Sequence, residues 1–358
     1  MIGNQKSVDR SCIIQEHDIQ KWTTRNAGDQ NEALSINDLT PNYFLVELLT
    51  NIKLQGYRFI AVSPSTHERF LSKTKSQGKN LRDIFGWSMT FSKDALCPMI
   101  EKIMNEGNFI VECGDSFHSL LRIATLGSDL FLHSSFPTTE HEAVFFGPDT
   151  YRFARFIRQS LEKYQYTWRN DVTLGGLPLR ILDIGCGTGA GGIAAVRALP
   201  HGTLFELTMN DINSYALEFA CANAFVAEVP IKVIAGDIFK NIHGEFDLII
   251  SNPPYMQDDS DRAYRNGGAQ LGLDLSIRIF KTAYEHLAPG GKLILYTGVA
   301  MTTPLDPFLN QVTPLLANAD CSWSYEEIDP DIFGEELERP AYFNVHRIAA
   351  IGLVVTRH

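Results

Sequence analysis

The chain has 358 residues, 44% of them hydrophobic, and a formal net charge of −11 from 31 Lys and Arg against 42 Asp and Glu. That length fits two domains, and that apolar share suffices for real cores. The charge disfavours a protein that wraps duplex nucleic acid, since phosphate neutralisation dominates such binding.

The acidity is uneven: residues 1–140 hold 14 basic and 16 acidic side chains, and the remainder holds 17 and 26. Six cysteines (Cys12, Cys97, Cys113, Cys186, Cys221, Cys321) are scattered without a C-x-x-C pair. They read as reduced thiols of a cytoplasmic protein, and neither a disulfide frame nor a zinc site is expected. The ten histidines show no metal-ligand spacing, so no metal is expected. No apolar run approaches the ~18–20 residues of a membrane span, and the N-terminus lacks a signal-peptide core. The composition leaves the oligomeric state open.

Residues 1–37 read as a polar tail, with a loosely attached helix around Ile13–Trp22. Thr40-Pro41 predicts a cap and first helical position for the apolar run Asn42–Leu54, which Gly56 ends. A short strand is expected at Tyr57–Val62, a helix from Ser63–Ser65 through Phe70, and another over Ser92–Asn105. Three strands follow at Asn108–Cys113, Ser119–Leu126 and Asp129–Ser134, turned by Gly114-Asp115 and Gly127-Ser128. Residues 38–140 are therefore expected to be a small α+β domain with an antiparallel meander. Lys73, Lys75, Lys79 and Arg82 form a basic cluster, either a solvated loop or a contact for phosphate or an acidic partner. Gly147-Pro148 is a turn before a helix over Tyr151–Tyr164, which Asp149 or Thr150 could cap while bordering a cleft.

From Arg180 onward, strand and helix alternate, which predicts a parallel sheet. Strands fall at 180–184, 203–209, 231–235, 246–251 and 292–297, with two more at 322–328 and 347–355. Helices fall at 190–199, 213–226, 270–287 and 305–318. Gly290-Gly291 reads as a turn into the fifth strand and not a phosphate loop. The stretch Asp329–Tyr342 carries five carboxylates, a solvated loop or a pocket border that would favour a cationic substrate.

The chemistry concentrates at the strand ends. Ile181-Leu-Asp-Ile-Gly185-Cys186-Gly187-Thr-Gly189 is a strand breaking into a glycine turn before a helix. A ligand at such a turn sits beyond the carboxyl end of the strand, where side chains would block it. The same glycines also fit a dinucleotide fingerprint, or a turn with a structural role only. Asp183 would repel a pyrophosphate but can accept from an ammonium group. Asp211 follows Gly189 by 22 positions, a spacing that suits a carboxylate on ribose hydroxyls, with Ile212 next to it. Gly236-Asp237-Ile238 offers an acceptor and an apolar face for a purine. After the buried run Phe246–Ile250 comes Ser251-Asn252-Pro253-Pro254-Tyr255. The prolines remove two N–H donors and stiffen the backbone. What remains is the Asn252 side-chain carbonyl and the Pro253 main-chain carbonyl, two acceptors suited to a planar –NH₂, with a Tyr255 ring to stack on it.

The pattern Asp183-x-Gly185-x-Gly187-x-Gly189, followed by Asp211-Ile-Asn-Ser-Tyr-Ala and Asn252-Pro-Pro-Tyr255, resembles class I S-adenosylmethionine (SAM) methyltransferases. Within them it is most similar to the HemK/PrmC group of N-methyltransferases, and Gly267-Gly268-Ala-Gln-Leu-Gly272-Leu273-Asp274 adds to that likeness. The resemblance spans about residues 144–300. It implies an α/β, Rossmann-like domain over residues 141–358 with a mostly parallel seven-stranded sheet; the smaller domain that precedes it lies outside the resemblance and is expected to select the substrate. It implies SAM as cofactor, held by Asp183, Gly185, Cys186, Gly187, Gly189, Asp211, Ile212, Asp237, Ile238, Asn252 and Thr150. Asn252, Pro253 and Tyr255 would contact the acceptor. The expected acceptor is a planar amide or amino nitrogen of a protein, such as a glutamine-like side chain, of a peptide or of a small molecule. An rRNA or DNA base-amino group is the alternative, disfavoured by charge. Only 14 residues separate Asn252 from Gly267, fewer than in bacterial HemK, and residues 38–135 do not resemble HemK's helical N-terminal domain. A non-catalytic partner protein and an NAD-linked oxidoreductase are the readings outside this class.

Overall fold

A computed structural model describes residues 41–74, 76–171, 177–258, 262–302 and 306–358. The expected tail, the helix around Ile13–Trp22, Thr40 and Lys75 lie outside the described residues.

Seven strands form the central sheet: β5 (Leu179–Ile184), β6 (Phe205–Asp211), β7 (Lys232–Ala235), β8 (Phe246–Ser251), β9 (Leu287–Met301), β10 (Cys321–Asp329) and β11 (Arg347–Arg357). Their order across the sheet is β10-β11-β9-β8-β5-β6-β7. β7, β6, β5, β8 and β9 run parallel, and β11 is antiparallel to both β9 and β10. The α/β class, the parallel sheet and the closing antiparallel pair are as the sequence predicts.

Successive residues on a strand point to opposite faces, and both faces of this sheet are covered. Ile181, Leu248, Ile250 and Ile294 pack in one cluster with α4 (Pro148–Asp171), α5 (Ala190–Ala198) and α6 (Ser214–Val226). Their neighbours Leu182, Ile249, Leu293 and Leu295 pack in another with α7 (Asp274–Glu285) and α8 (Pro307–Ala317). Burial on both faces explains why these strands read as continuous apolar runs.

The N-terminal part contains α1 (Tyr43–Leu54), α2 (Pro64–Lys73), α3 (Pro98–Glu106) and four short strands. These are β1 (Ile110–Cys113), β2 (Ser116–Ser119), β3 (Leu121–Leu126) and β4 (Asp129–Ser134). Their core includes Leu45, Leu49, Ile84, Phe85, Ile123 and Leu132, and it extends onto Ala216, Phe219 and Ala222 of α6. One apolar cluster thus joins residues of the N-terminal part to α6. Asn223, fully buried on α6, reinforces the join. Its Oδ1 accepts from Leu132 N at 2.8 Å, and its Nδ2 donates to Thr188 O in the glycine turn at 3.0 Å.

Several local expectations are corrected. α1 starts at Tyr43, with Asn42 as its cap, accepting from Phe44 N, so Pro41 is not its first helical residue. Tyr57–Val62 forms no strand and pairs in no ladder; Phe59 N donates to Thr125 Oγ1, and Phe59 O accepts from Thr125 N. The helix over Ser92–Asn105 is split into a 3₁₀ turn at Lys93–Ala95 and α3. Pro98 forces the preceding Cys97 out of the helical region. The meander is two separate hairpins, β1-β2 and β3-β4. α4 begins at Pro148, three residues earlier than expected, with proline in its first turn. Gly290-Gly291 is no turn before β9 but a bulge within it, since β8 advances two residues (Phe246 to Leu248) while β9 advances from Leu287 to Lys292.

Candidate active site

Because β5, β6, β7 and β8 are parallel, their carboxyl ends meet at one edge of the sheet, the place where ligands bind in open α/β folds. The residues that follow them line one cavity of about 390 Å³. Asp183, Gly185, Cys186, Gly187, Asp211, Ile212, Asp237, Ile238, Asn252, Pro253, Tyr255 and Thr150 all reach it. Gly189 is the exception. It is the left-handed N-cap of α5 (φ +76°), and a Cβ there would lie 3.1 Å from Met209 Sδ and 3.2 Å from Ala220 Cβ. Its absence of a side chain serves packing.

Gly185 (φ +67°) and Gly187 (φ +53°) differ from Gly189, for a Cβ on either would meet no protein atom within 4 Å. The turn presents bare backbone to open space, a cradle that a side chain would fill. Asp211 braces it: Oδ2 accepts from Gly187 N at 2.8 Å and Oδ1 from Asn213 N at 2.9 Å. Asp183 Oδ2 accepts from Gly192 N at 2.7 Å, in the first turn of α5. Burial pushes the Asp183 carboxyl up to about 7, and the Asp211 carboxylate adds to the rise against the Gly192 hydrogen bond. Burial also raises Asp211. Two carboxyl groups held close in a desolvated turn favour a cation and repel a pyrophosphate.

Ile212 is 66% exposed although strongly apolar, and it lines the cavity with Ile238. Asp237 sits at the rim, where it accepts from Arg278 at 3.0 Å, a solvent-exposed pair. Cys186 is buried, and its thiol is pushed well up by burial, so it is a small inert filler.

The Asn252–Tyr255 loop is held from behind. Met256 N donates to Arg265 O at 3.0 Å, and Gly267 N donates to Met256 O at 2.8 Å. Gln270 and Leu271 are both left-handed, with φ of 56° and 59°. A Cβ on Gly272 (φ +89°) would lie 2.3 Å from the Tyr255 carbonyl oxygen. The glycine-rich element at 267–272 is thus a tight knot against the loop, and the helix expected at 270–287 is properly formed only from Asp274. Gly272→Ala is expected to destabilise the fold by about 2–4 kcal/mol in urea denaturation, from the backbone strain and the overlap together.

At the front of the loop, the Asn252 Oδ1 is buried and has no hydrogen-bond partner among the described residues. A buried acceptor left unmade costs about 1–3 kcal/mol, so native folds rarely keep one without a use for it. The Tyr255 ring lies on the β9 backbone at Gly298, where a Cβ would come within 2.3 Å of it. Phe145, Tyr264 and Phe333 line the same cavity, and Phe145 and Tyr264 are stacked at 5.5 Å.

The acidic stretch 329–342 does not supply carboxylates to the cavity. Asp329 pairs with Arg152, and Glu336 with Arg265 and Arg339; only Phe333 of this stretch lines the space. The cationic-substrate reading of that stretch therefore falls. Lys73, Lys79 and Arg82 do not line the cavity either. Among the described residues no group of His, Cys, Asp and Glu is arranged to hold a metal, and no helix is long and apolar enough to cross a membrane.

A seven-stranded sheet of this order, with a glycine cradle, paired carboxyl groups and an Asn-Pro-Pro-Tyr loop at one edge, is a Rossmann-like architecture consistent with a methyltransferase domain. Residues 174–314 match the family model described as Methyltransferase small domain. The chain is 31% identical over 169 residues to the release factor glutamine methyltransferase of Deinococcus radiodurans, covering 44% of this chain and 55% of that protein. It is 36% identical over 125 residues to the ribosomal RNA small subunit methyltransferase C of Pasteurella multocida, covering 35% of this chain and 34% of that protein. It therefore spans about half, or less, of the length of these relatives. Among solved structures it is similar to the T. thermophilus 16S rRNA N2 G1207 methyltransferase in complex with AdoMet and guanosine. That likeness has a TM-score of 0.40 and 15% identity, over 75% of this chain and 64% of that one. The matched segment is thus similar to the methyltransferase domains of these relatives.

The residues present fit SAM as cofactor: an open glycine cradle, carboxyl groups that favour a cation, and apolar Ile212 and Ile238 beside them. An ionised Asp183 would hold the cofactor's ammonium group more strongly than a neutral one, and burial pushes its carboxyl up to about 7. SAM affinity, measured by calorimetry, is expected to rise between pH 5.5 and 7, by at most about tenfold per unit, and then to flatten. Asp183→Asn should remove that slope.

Proposed function

We propose that the chain transfers a methyl group from SAM to a planar amide or amino nitrogen carried by a protein, a peptide or a small molecule. The observation that carries this reading is a buried Oδ1 without a hydrogen-bond partner among the described residues, on Asn252, a residue that lines the same cavity as the glycine cradle. An amide-type nitrogen is a weak nucleophile because its lone pair is delocalised. Asn252, with the Pro253 carbonyl next in the chain, would accept its N–H groups, orient the lone pair and favour the positive charge that grows on nitrogen. Bound SAM supplies a sulfonium methyl: the nitrogen lone pair forms the new N–C bond, sulfur keeps the electrons of the broken S–C bond, and the surplus N–H proton passes to water. Asp183, Asp211 and the glycine turn would hold the cofactor, and residues 38–140 would help select the acceptor through Pro64 and the segment Phe136–Thr139, which line the cavity.

A second reading, a base-amino nitrogen of rRNA or DNA, is favoured by one observation: Tyr255, Phe333, Phe145 and Tyr264 offer flat faces to a flat ring. Tritium transfer from labelled SAM into cell extract, separated into protein, RNA, DNA and small molecules, tests both. Label in protein or small molecules is the expected result. Label confined to nucleic acid selects the second reading, and label in no fraction sinks both.

A further inference from the structure

One buried charge at the cavity wall has no place in the scheme above. Asp149, in the first turn of α4, is 6% exposed and lines the cavity. Tyr255 Oη donates to its Oδ2 at 2.6 Å, and Tyr296 Oη donates to its Oδ1 at 2.7 Å. Arg152, one turn further along α4, donates to the same Oδ1 at 3.1 Å and to Asp329 Oδ2 at 2.9 Å. Three elements meet at this carboxylate, α4, the loop after β8 and β9, and Arg152 links it to the end of β10. A carboxylate at a helix N-terminus is favoured by the helix dipole, but a surface cap would need neither two phenols nor burial. Burial and the adjoining Asp149 charge hold both phenols well above the ordinary tyrosine range, so they stay protonated and donate.

The consequence concerns the Tyr255 ring. Its one side rests on Gly298, and Phe333 packs at 6.2 Å. Rotation of the phenol out of this place would break a charge-assisted hydrogen bond, among the stronger kinds in a protein. We propose that Asp149 is a positioning residue for methyl transfer: through Tyr255 it fixes the wall on which the acceptor lies, and it keeps a negative charge one phenol away from the nitrogen that becomes cationic. Tyr296 holds the other oxygen, so the carboxylate cannot turn to follow a displaced Tyr255. This rests on the reading of the cavity as a methyl-transfer site.

Asp149→Asn, Tyr255→Phe and the double variant test it, with Tyr296→Phe as the milder change if Asp149→Asn fails to fold. The rate of label transfer from SAM into wild-type-accepting extract is expected to fall about 10–100-fold in Asp149→Asn, while SAM affinity by calorimetry stays within threefold. Tyr255→Phe should fall similarly, and the double variant no further than the worse single one. Alkaline titration of tyrosinate absorbance, which needs no acceptor, should show in Asp149→Asn phenols that ionise at lower pH than in wild type, and this signal should shrink when Tyr255→Phe is added. Additive losses, an unchanged tyrosinate titration, or a loss of SAM affinity equal to the loss of rate would overturn the proposal. If wild type transfers no label while the titration behaves as expected, the methyl-transfer reading fails and the Asp149–Tyr255 linkage stands.

Discussion

Asn252→Ala is expected to lower methyl transfer at least about 100-fold while SAM affinity, by calorimetry, changes no more than about threefold. The reason lies in what the side chain touches. The glycine cradle is braced by Asp211 and the α5 turn by Asp183, and neither depends on Asn252. The Asn252 Oδ1, by contrast, is buried with no partner among the described residues, so it has acceptor capacity left for an N–H group of the methyl acceptor. Alanine also removes a buried unsatisfied acceptor, so the variant should fold as well as the wild type or slightly better. Equal losses of affinity and turnover would mean that Asn252 belongs to the cofactor and not to the acceptor.

The opposite signature is expected for Asp211→Ala. Its two oxygens hold the backbone N–H groups of Gly187 and Asn213, and so tie the glycine turn of β5 to the start of α6. Each charge-assisted hydrogen bond is worth about 1.5–3 kcal/mol. Without them the cradle loses its shape, and any direct contact of the carboxylate with the cofactor is lost too. SAM affinity should fall about 100-fold or more, whereas transfer at saturating SAM should recover much of its rate. A variant that binds SAM normally and turns over slowly would show that Asp211 serves the acceptor. The two substitutions together separate the halves of the cavity.

Much of the fold was legible because its signals are local. Phe246–Ser251 is both the predicted and the observed strand, since a fully buried parallel strand is a continuous apolar run bounded by turn residues. The acidic residues Asp183, Asp211 and Asp237 and the Asn252 loop were found by position at strand ends, and a parallel sheet gathers such positions at one edge. Gly189 shows the limit of that reasoning. It belongs to the same motif as Gly185 and Gly187, yet Met209 and Ala220, each from another element, decide that its bare Cα is for packing. Similarly, the carboxylates of 329–342 looked free in the sequence, while Arg152 and Arg265, distant in the chain, neutralise Asp329 and Glu336.

The sequence by itself determined the class of fold, the order of its elements and the residue types offered at the edge of the sheet, because periodicity, turn chemistry and the conformations open to glycine and proline act over a few neighbouring residues. The tertiary structure alone decided which of those residues face the cavity, that the N-terminal hairpins share a core with α6, and that Asp149 meets phenols 106 and 147 positions away. Those outcomes depend on how whole elements pack, and a partner brought in by packing leaves no mark in the residues next to it.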